Sequence, residues 1–145
     1  MQPIAELQHD GKTFLKSAFN PKGRYLYGDW IGYITRQHVI KGCTSLLEWS
    51  RGNARSHGCI AMIADTRNVR GSWDPAIGWV EKGFDEPMYE LGFRCCVIVL
   101  SKDLSAQVSA ENMVASSRPG TIIYHPVLTL ADAEAYIEKM RGDVR

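Results

Sequence analysis

The segment from residue 65 to residue 74 carries the densest set of side chains that could bind a ligand or a partner. The candidates among its charged, hydroxyl and indole groups are Asp65, Arg67, Arg70, Ser72, Trp73 and Asp74. The apolar run at 59–64 predicts a buried strand before it, and the Asp-Pro pair at 74–75 predicts a helix start after it. Open α/β sheets bind ligands at such junctions, where helix N–H groups attract anions. The segment therefore predicts a contact surface for an anion or an acidic partner.

A purely structural interpretation of this segment stays open. Asp74 is suited to cap the helix that follows, and its carboxylate would compete with an incoming anion. Arg67 and Arg70 could be solvated or paired with Asp65. The capped turn is favoured over a small-anion site, whereas a protein partner is about equally compatible with the sequence.

A second polar loop, 101–105, follows the next predicted strand and contains Asp103. Since the carboxyl ends of parallel strands meet at one edge of a sheet, Asp103 joins the predicted contact surface. It is also placed to cap a helix over 103–114, whose apolar face (Leu104, Val108, Met113) is thin.

Residue types suited to catalysis or metal binding are scattered along the chain. No histidine or cysteine stands at the spacing of a catalytic or metal-ligand motif, and no glycine-rich phosphate-binding motif is present. The residues concerned are His9, His38, His57, His125, Cys43, Cys59, Cys95 and Cys96. The sequence thus predicts a non-enzymatic protein without metal or cofactor. The alternative, an enzyme, would use Asp65 as a general base beside Arg67.

Aromatic side chains could line a pocket or an interface. Trp73 is the strongest contact candidate because exposed tryptophan is frequent at binding hot spots. It could instead pack as a staple onto its own helix. A pocket between Trp30, Tyr33, Trp79 and the flanking helices would hold a small apolar or acidic ligand, which is the alternative function.

Hydrophobic periodicity and turn residues predict an α/β fold. Strands are expected at 13–19, 24–35, 59–65, 94–101 and 121–124, and about four flanking helices at 36–51, 74–91, 103–114 and 129–140. The first two strands should form an antiparallel hairpin, and the strand–helix–strand units should pair in parallel. The result is a mixed sheet in a single domain over 1–145, with 1–12 as a tail or short strand and 13–140 as the core.

Composition narrows the partners. Seventeen Lys and Arg residues against sixteen Asp and Glu residues give a net charge of +1, which argues against nucleic-acid binding. The longest apolar run, 95–100, is far too short to span a membrane.

The N-terminus lacks a signal-peptide pattern and the cysteines suit reduced thiols, so a cytoplasmic location is expected. An edge strand beside the hairpin predicts a homodimer.

Four short motifs resemble those of STAS-like, SpoIIAA-like domains of the anti-sigma factor antagonist type, in a bacterial branch of that family. They stand at 30–32 (Trp-Ile-Gly), 65–69 (Asp-Thr-Arg-Asn-Val), 73–74 (Trp-Asp) and 101–104 (Ser-Lys-Asp-Leu). The resemblance covers about residues 13–140 and implies a regulatory module that binds a protein partner.

One position departs from the family pattern. Partner-switching members carry a phosphorylated Ser or Thr at the start of the helix after the third strand, where this chain has Asp74 and Pro75. Ser72 and Thr66 are the nearest hydroxyl groups. The resemblance therefore implies a module without the usual phospho-acceptor.

Overall fold

One mixed sheet of six strands forms the centre of the molecule, with the strands side by side in sequence order. In the computed structural model, which describes residues 1–144 and the side chains of 1–142, β1, β2 and β3 are antiparallel and β3 to β6 are parallel. The bounds are β1 (Gln2–His9), β2 (Lys12–Asn20), β3 (Tyr25–Tyr33), β4 (Ala61–Arg70), β5 (Cys95–Val99) and β6 (Ile123–Val127). The predicted mixed sheet with an N-terminal antiparallel hairpin is confirmed.

Four helical segments flank the sheet, namely α1 (Arg36–Asn53), α2 (74–90), α3 (Leu104–Ala115) and α4 (Leu130–Val144). Their number agrees with the sequence prediction. None of the helices within residues 1–144 is both long and apolar enough to cross a membrane.

The α2 segment changes helix type along its length. It comprises a 3-10 turn at Asp74–Ala76, an α-helical turn at Ile77–Val80, a π-helical turn at Glu81–Asp85 and an α-helical end at Glu86–Glu90. Proline cannot donate a backbone hydrogen bond, and Pro87 stands in the first turn of the final α-helical part, directly after the π-helical turn.

The sheet separates two apolar cores. Side chains of α1, α2 and α3 pack on one face, and those of α4 pack on the other. Strand β5 is buried along its whole length, as expected for a strand covered on both faces. The larger core lies on the α1–α3 side and includes Leu26, Met62 and Ile98.

The first twelve residues form a strand and a tight turn rather than a tail. Strand β1 pairs with β2 along most of its length. Between them, Asp10 and Gly11 have positive φ angles of 51° and 76°, the conformation of a two-residue hairpin turn. The Asp-Gly pair was the sequence signal for this additional strand.

Candidate functional site

Strand β4 continues beyond Asp65, where the sequence predicted a loop to begin. The strand ends at Arg70, so residues 66–70 belong to the sheet and the connection to α2 is short. The expected loop over 66–73 is therefore wrong for most of its length. Arg67 and Arg70 project from a strand rather than from a loop.

A β-bulge accounts for this extension. Asp29 of β3 is opposite Asp65, and Ile31 is opposite Asn68, so β4 holds one more residue than β3 between the two pairs. An extra residue shifts the alternation of side chains between the two faces of a sheet. As a result Val69 is buried in the larger core.

Three side chains form a closed hydrogen-bonded group at the bulge. Asp65 is only 1% exposed and accepts a bidentate pair of hydrogen bonds from Arg67, Nε to Oδ1 at 3.0 Å and Nη2 to Oδ2 at 2.6 Å. The backbone N–H of Arg67 donates to the same Oδ1 at 3.1 Å. The phenol of Tyr27 donates to Oδ2 at 2.5 Å.

These donors set the charge state of the Asp65 carboxyl. Burial by itself raises its pKa, but the hydrogen bonds from Arg67 and Tyr27 outweigh burial and hold the pKa below the usual value. A carboxylate with a lowered pKa and four donors is a weak base. The geometry gives Asp65 a positioning role, in which it fixes Arg67 at the edge of the sheet.

The turn after β4 is attached to α3 by side chains. Asp103 accepts from the backbone N–H of Ala106 at 3.1 Å, which confirms it as the cap of α3, and from that of Gly71 at 3.3 Å. Ser109, fully buried, accepts from the backbone N–H of Trp73 at 2.9 Å. The role of Ser109 was missed, because an isolated helical serine carries no sequence signal for a contact with a distant turn.

Asp74 does not cap α2 as predicted. It is the first residue of the 3-10 turn, and no side-chain cap hydrogen bond is present there. Its carboxylate accepts from Asn112 Nδ2 at 3.2 Å, while its own N–H donates to Ser72 Oγ at 3.3 Å. The residue is exposed and tethers α2 to α3.

An open groove of about 570 Å³ lies at the carboxyl edge of the parallel strands. Its walls are the end of β4 (67–70), the loop 100–103, Gln107 of α3 and Leu128 after β6. Of the predicted site residues it contains Arg67, Arg70 and Asp103. Ser72 and Asp74 lie outside it, and Asp65 lies beneath Arg67.

Exposed apolar side chains lie in the wall of this groove or next to its residues along the chain and across the strands. Leu128, 75% exposed, is part of its wall, and Tyr33, 71% exposed, pairs with Arg70 across the strands. Leu104 (74% exposed) and Val108 (43% exposed) lie one turn apart on α3. The predicted inward face of α3 is therefore wrong for Leu104 and Val108. The buried face consists of Ala106, Ser109, Ala110 and Met113.

Trp73 lies on the inner side of the chain, away from the groove. Its ring packs against the larger core and forms part of the wall of an internal cavity, together with Trp30. Of the three residues of the predicted pocket, Trp30 lines this cavity, whereas Tyr33 and Trp79 do not. The single predicted site thus divides into an outer groove and an inner cavity.

The two hydroxyl groups considered as possible phospho-acceptors, those of Thr66 and Ser72, differ in accessibility. Thr66 is buried, and its Oγ1 donates to the carbonyl of Val99 at 2.7 Å. Ser72 is exposed and shares a hydrogen bond of 3.2 Å with Ser109 Oγ.

A buried carboxyl–phenol pair was not predicted. Asp85, on the π-helical turn of α2, accepts from Tyr124 Oη of β6 at 2.5 Å, and both residues are buried. Burial raises the pKa of Asp85 to about 7, and the negative charges of Glu81 and Glu86 add to the increase against the hydrogen bond from Tyr124. Tyr124 also lines the internal cavity.

Within residues 1–144, no three His, Cys, Asp or Glu side chains lie close enough together to hold a metal ion. The fold and site define an α/β domain with a groove at the carboxyl edge of its sheet and a cavity behind it. Comparisons with protein-family models, curated proteins and solved structures find no match to this chain.

Proposed function

We propose that this chain is a non-enzymatic regulatory module that binds an acidic segment of a protein partner in the groove at the carboxyl edge of its sheet. The observation that carries the proposal is the distribution of exposed apolar side chains. Five large apolar side chains are exposed in the described part of the chain. Leu128 lines the groove, and Tyr33 pairs across the strands with the groove residue Arg70. Leu104 and Val108 of α3 are next in sequence to the groove residues Asp103 and Gln107. Clustered apolar exposure of this kind is typical of protein-contact sites.

The charges of the groove favour an acidic partner. Arg70 and Lys102 are exposed and have no hydrogen-bonding or ion-pair partner among the described residues. Asp103 is the acidic side chain of the wall, and two backbone N–H groups occupy its Oδ1. Unpaired cations beside apolar side chains suit a peptide that alternates acidic and apolar residues.

The family resemblance supports the same edge. The motif at 65–69 contains the β-bulge, and Ile31 and Gly32 of the motif at 30–32 pair with Asn68 and Val69 across it. The motif at 101–104 forms the start of α3 and part of the groove wall. Three motifs that are distant in sequence therefore converge at one edge, which a contact surface of a STAS-like module would require.

Selection from a random peptide library tests this proposal. The native protein is expected to select peptides rich in Asp, Glu and apolar residues. The double variant Arg70→Glu/Lys102→Glu should no longer enrich these peptides. The control variant Lys22→Glu/Lys139→Glu carries the same change in net charge. Its two substitutions lie on the β2–β3 turn and on α4, where both side chains are exposed outside the groove. Enrichment without acidic character, or equal enrichment by both variants, would contradict the proposal.

The homodimer remains a separate proposal. Strand β1 ends the sheet, so one of its edges has no partner strand within residues 1–144, and such edges can pair with a second copy. Light scattering at micromolar concentration distinguishes monomer from dimer. A measured mass equal to that of one chain would exclude the homodimer and would leave the groove proposal unchanged.

A further inference from the structure

A cavity of about 80 Å³, partly open to the surface, lies between the sheet and helices α1, α2 and α3. Its wall is almost entirely apolar and includes Trp30, Ala64, Val69, Val80 and Ile98. Well-packed protein interiors seldom leave voids larger than a water molecule. A space of this size among large side chains therefore calls for an occupant or for a functional reason.

The wall contains a polar group without a partner. Trp73 Nε1 is buried and has no hydrogen-bonding partner among the described residues. An unsatisfied buried donor destabilises the fold, because it has lost its hydrogen bonds to water without gaining another. The indole that carries it forms part of the cavity wall, so an occupant that reached Nε1 would supply the missing acceptor.

The cavity wall offers an occupant few hydrogen-bond donors. The hydroxyl of Thr66 is already bonded to the Val99 carbonyl, and the phenol of Tyr124 to Asp85. The Cys43 and Cys96 thiols are weak hydrogen-bonding groups. Trp73 Nε1 is thus the one strong donor left for an occupant within the described wall.

We propose that the cavity is a binding site for a small, mainly apolar molecule with one hydrogen-bond acceptor, such as a ketone, ether or ester oxygen, directed at Trp73 Nε1. An apolar cavity of about 150 Å³ holds the six carbon atoms of benzene, so this one, about half as large, suits a ligand of roughly three to five non-hydrogen atoms. The site is distinct from the groove and does not depend on the function proposed for it.

A matched pair of probes tests the proposal. Butan-2-one carries the acceptor, and 2-methylbut-1-ene has the same shape with a methylene group in place of the oxygen. Both are titrated into ¹⁵N-labelled and methyl-labelled protein. Both should shift the methyl signals of Val69, Val80 and Ile98, and only butan-2-one should move the indole proton of Trp73 downfield. The Trp73 signal is identified by its loss in Trp73→Phe.

The Trp73→Phe variant separates the hydrogen bond from cavity filling. It should weaken the binding of butan-2-one about fivefold, the ratio of dissociation constants that corresponds to one net hydrogen bond of ~1 kcal/mol. The same variant should leave the affinity for 2-methylbut-1-ene nearly unchanged. Comparing the two ratios cancels the difference in hydrophobicity between the probes.

A second variant, Ala64→Val, partly fills the cavity with a side chain suited to a strand. It should weaken the binding of both probes. The proposal is overturned if neither probe shifts the cavity methyl signals up to its solubility limit. It is also overturned if Trp73→Phe changes the affinities for both probes by the same factor, since the indole would then play no part as a donor.

Discussion

Ser109 Oγ accepts a hydrogen bond from the backbone N–H of Trp73 at 2.9 Å, and this contact holds the turn between the groove and the cavity. Ser109 also shares a hydrogen bond with Ser72. A single fully buried hydroxyl of α3 therefore positions both the exposed end of the turn and the indole that faces the core.

Removing this hydroxyl should destabilise the fold. Ser109→Ala leaves the Trp73 N–H buried without an acceptor, so a loss of about 1–3 kcal/mol in the free energy of unfolding is expected. Ser105→Ala, at an exposed position of the same helix, is the control and should change stability by less than about 0.5 kcal/mol. Urea unfolding followed by tryptophan fluorescence measures both. Equal losses would show that the contact has no special role.

The Asp65 carboxylate should stabilise the protein in a defined range of pH. Its folded pKa lies below the ordinary value of about 3.9, so its stabilising contribution is complete above that pH and is lost as pH falls through the folded pKa. Asp65→Asn should cost about 1–3 kcal/mol at pH 7, from the loss of charge-assisted hydrogen bonds. The difference between the native protein and the variant should narrow only below about pH 4. A difference that narrows between pH 5 and 7 would refute this assignment.

Asp85 should have the opposite effect. Its folded pKa, about 7, lies above the value in the unfolded chain, so between about pH 4 and 7 the folded state binds the proton and the unfolded state does not. Stability from this group therefore falls as pH rises through that range, by on the order of 4 kcal/mol for a shift of three units. The variant Asp85→Asn should lack this component. Unfolding free energies at pH 4.5, 6 and 8 measure it, with Glu111→Gln as an exposed acidic control. Parallel pH profiles for Asp85→Asn and the native protein would contradict the prediction.

All four cysteines should resist alkylation in the folded protein. They are free and buried, and burial raises the pKa of Cys59 and of Cys95 to about 11, while those of Cys43 and Cys96 are also raised. Since the thiolate is the reactive form, iodoacetamide at pH 8 should leave the native mass unchanged and add four groups in urea. Rapid labelling of any one thiol under native conditions would locate a local opening.

Much of the fold was predictable because its signals are local. The apolar run of β5, the caps Thr35, Asp103 and Thr129, and the turn residues between β2 and β3 each act within a few positions of themselves. Strand β1 was predicted only as one of two possibilities, a tail or a short strand, although the Asp10-Gly11 pair indicated its turn. Because these local signals agree with the whole fold, they specify the order of strands and helices along the chain.

The candidate site was less predictable because its geometry depends on pairing across the chain. The bulge at Asp65–Asn68 exists only relative to β3, and it alone places Val69 inside while Arg70 stays exposed. Trp73 was correctly singled out as a residue on a polar turn, but its inward position depends on Ser109, 36 residues away. Asp85 likewise acquires its partner, Tyr124, from a strand 39 residues later.

The most direct test of the proposed function is the affinity of one selected acidic peptide for three proteins, measured by isothermal titration calorimetry at low and high salt. The account predicts similar dissociation constants for the native protein and for Lys22→Glu/Lys139→Glu. It predicts weakening of about tenfold or more for Arg70→Glu/Lys102→Glu. Binding should also weaken with salt for the first two proteins. If the groove variant binds as tightly as the native protein, or if all three lose affinity equally, the groove is not the binding surface.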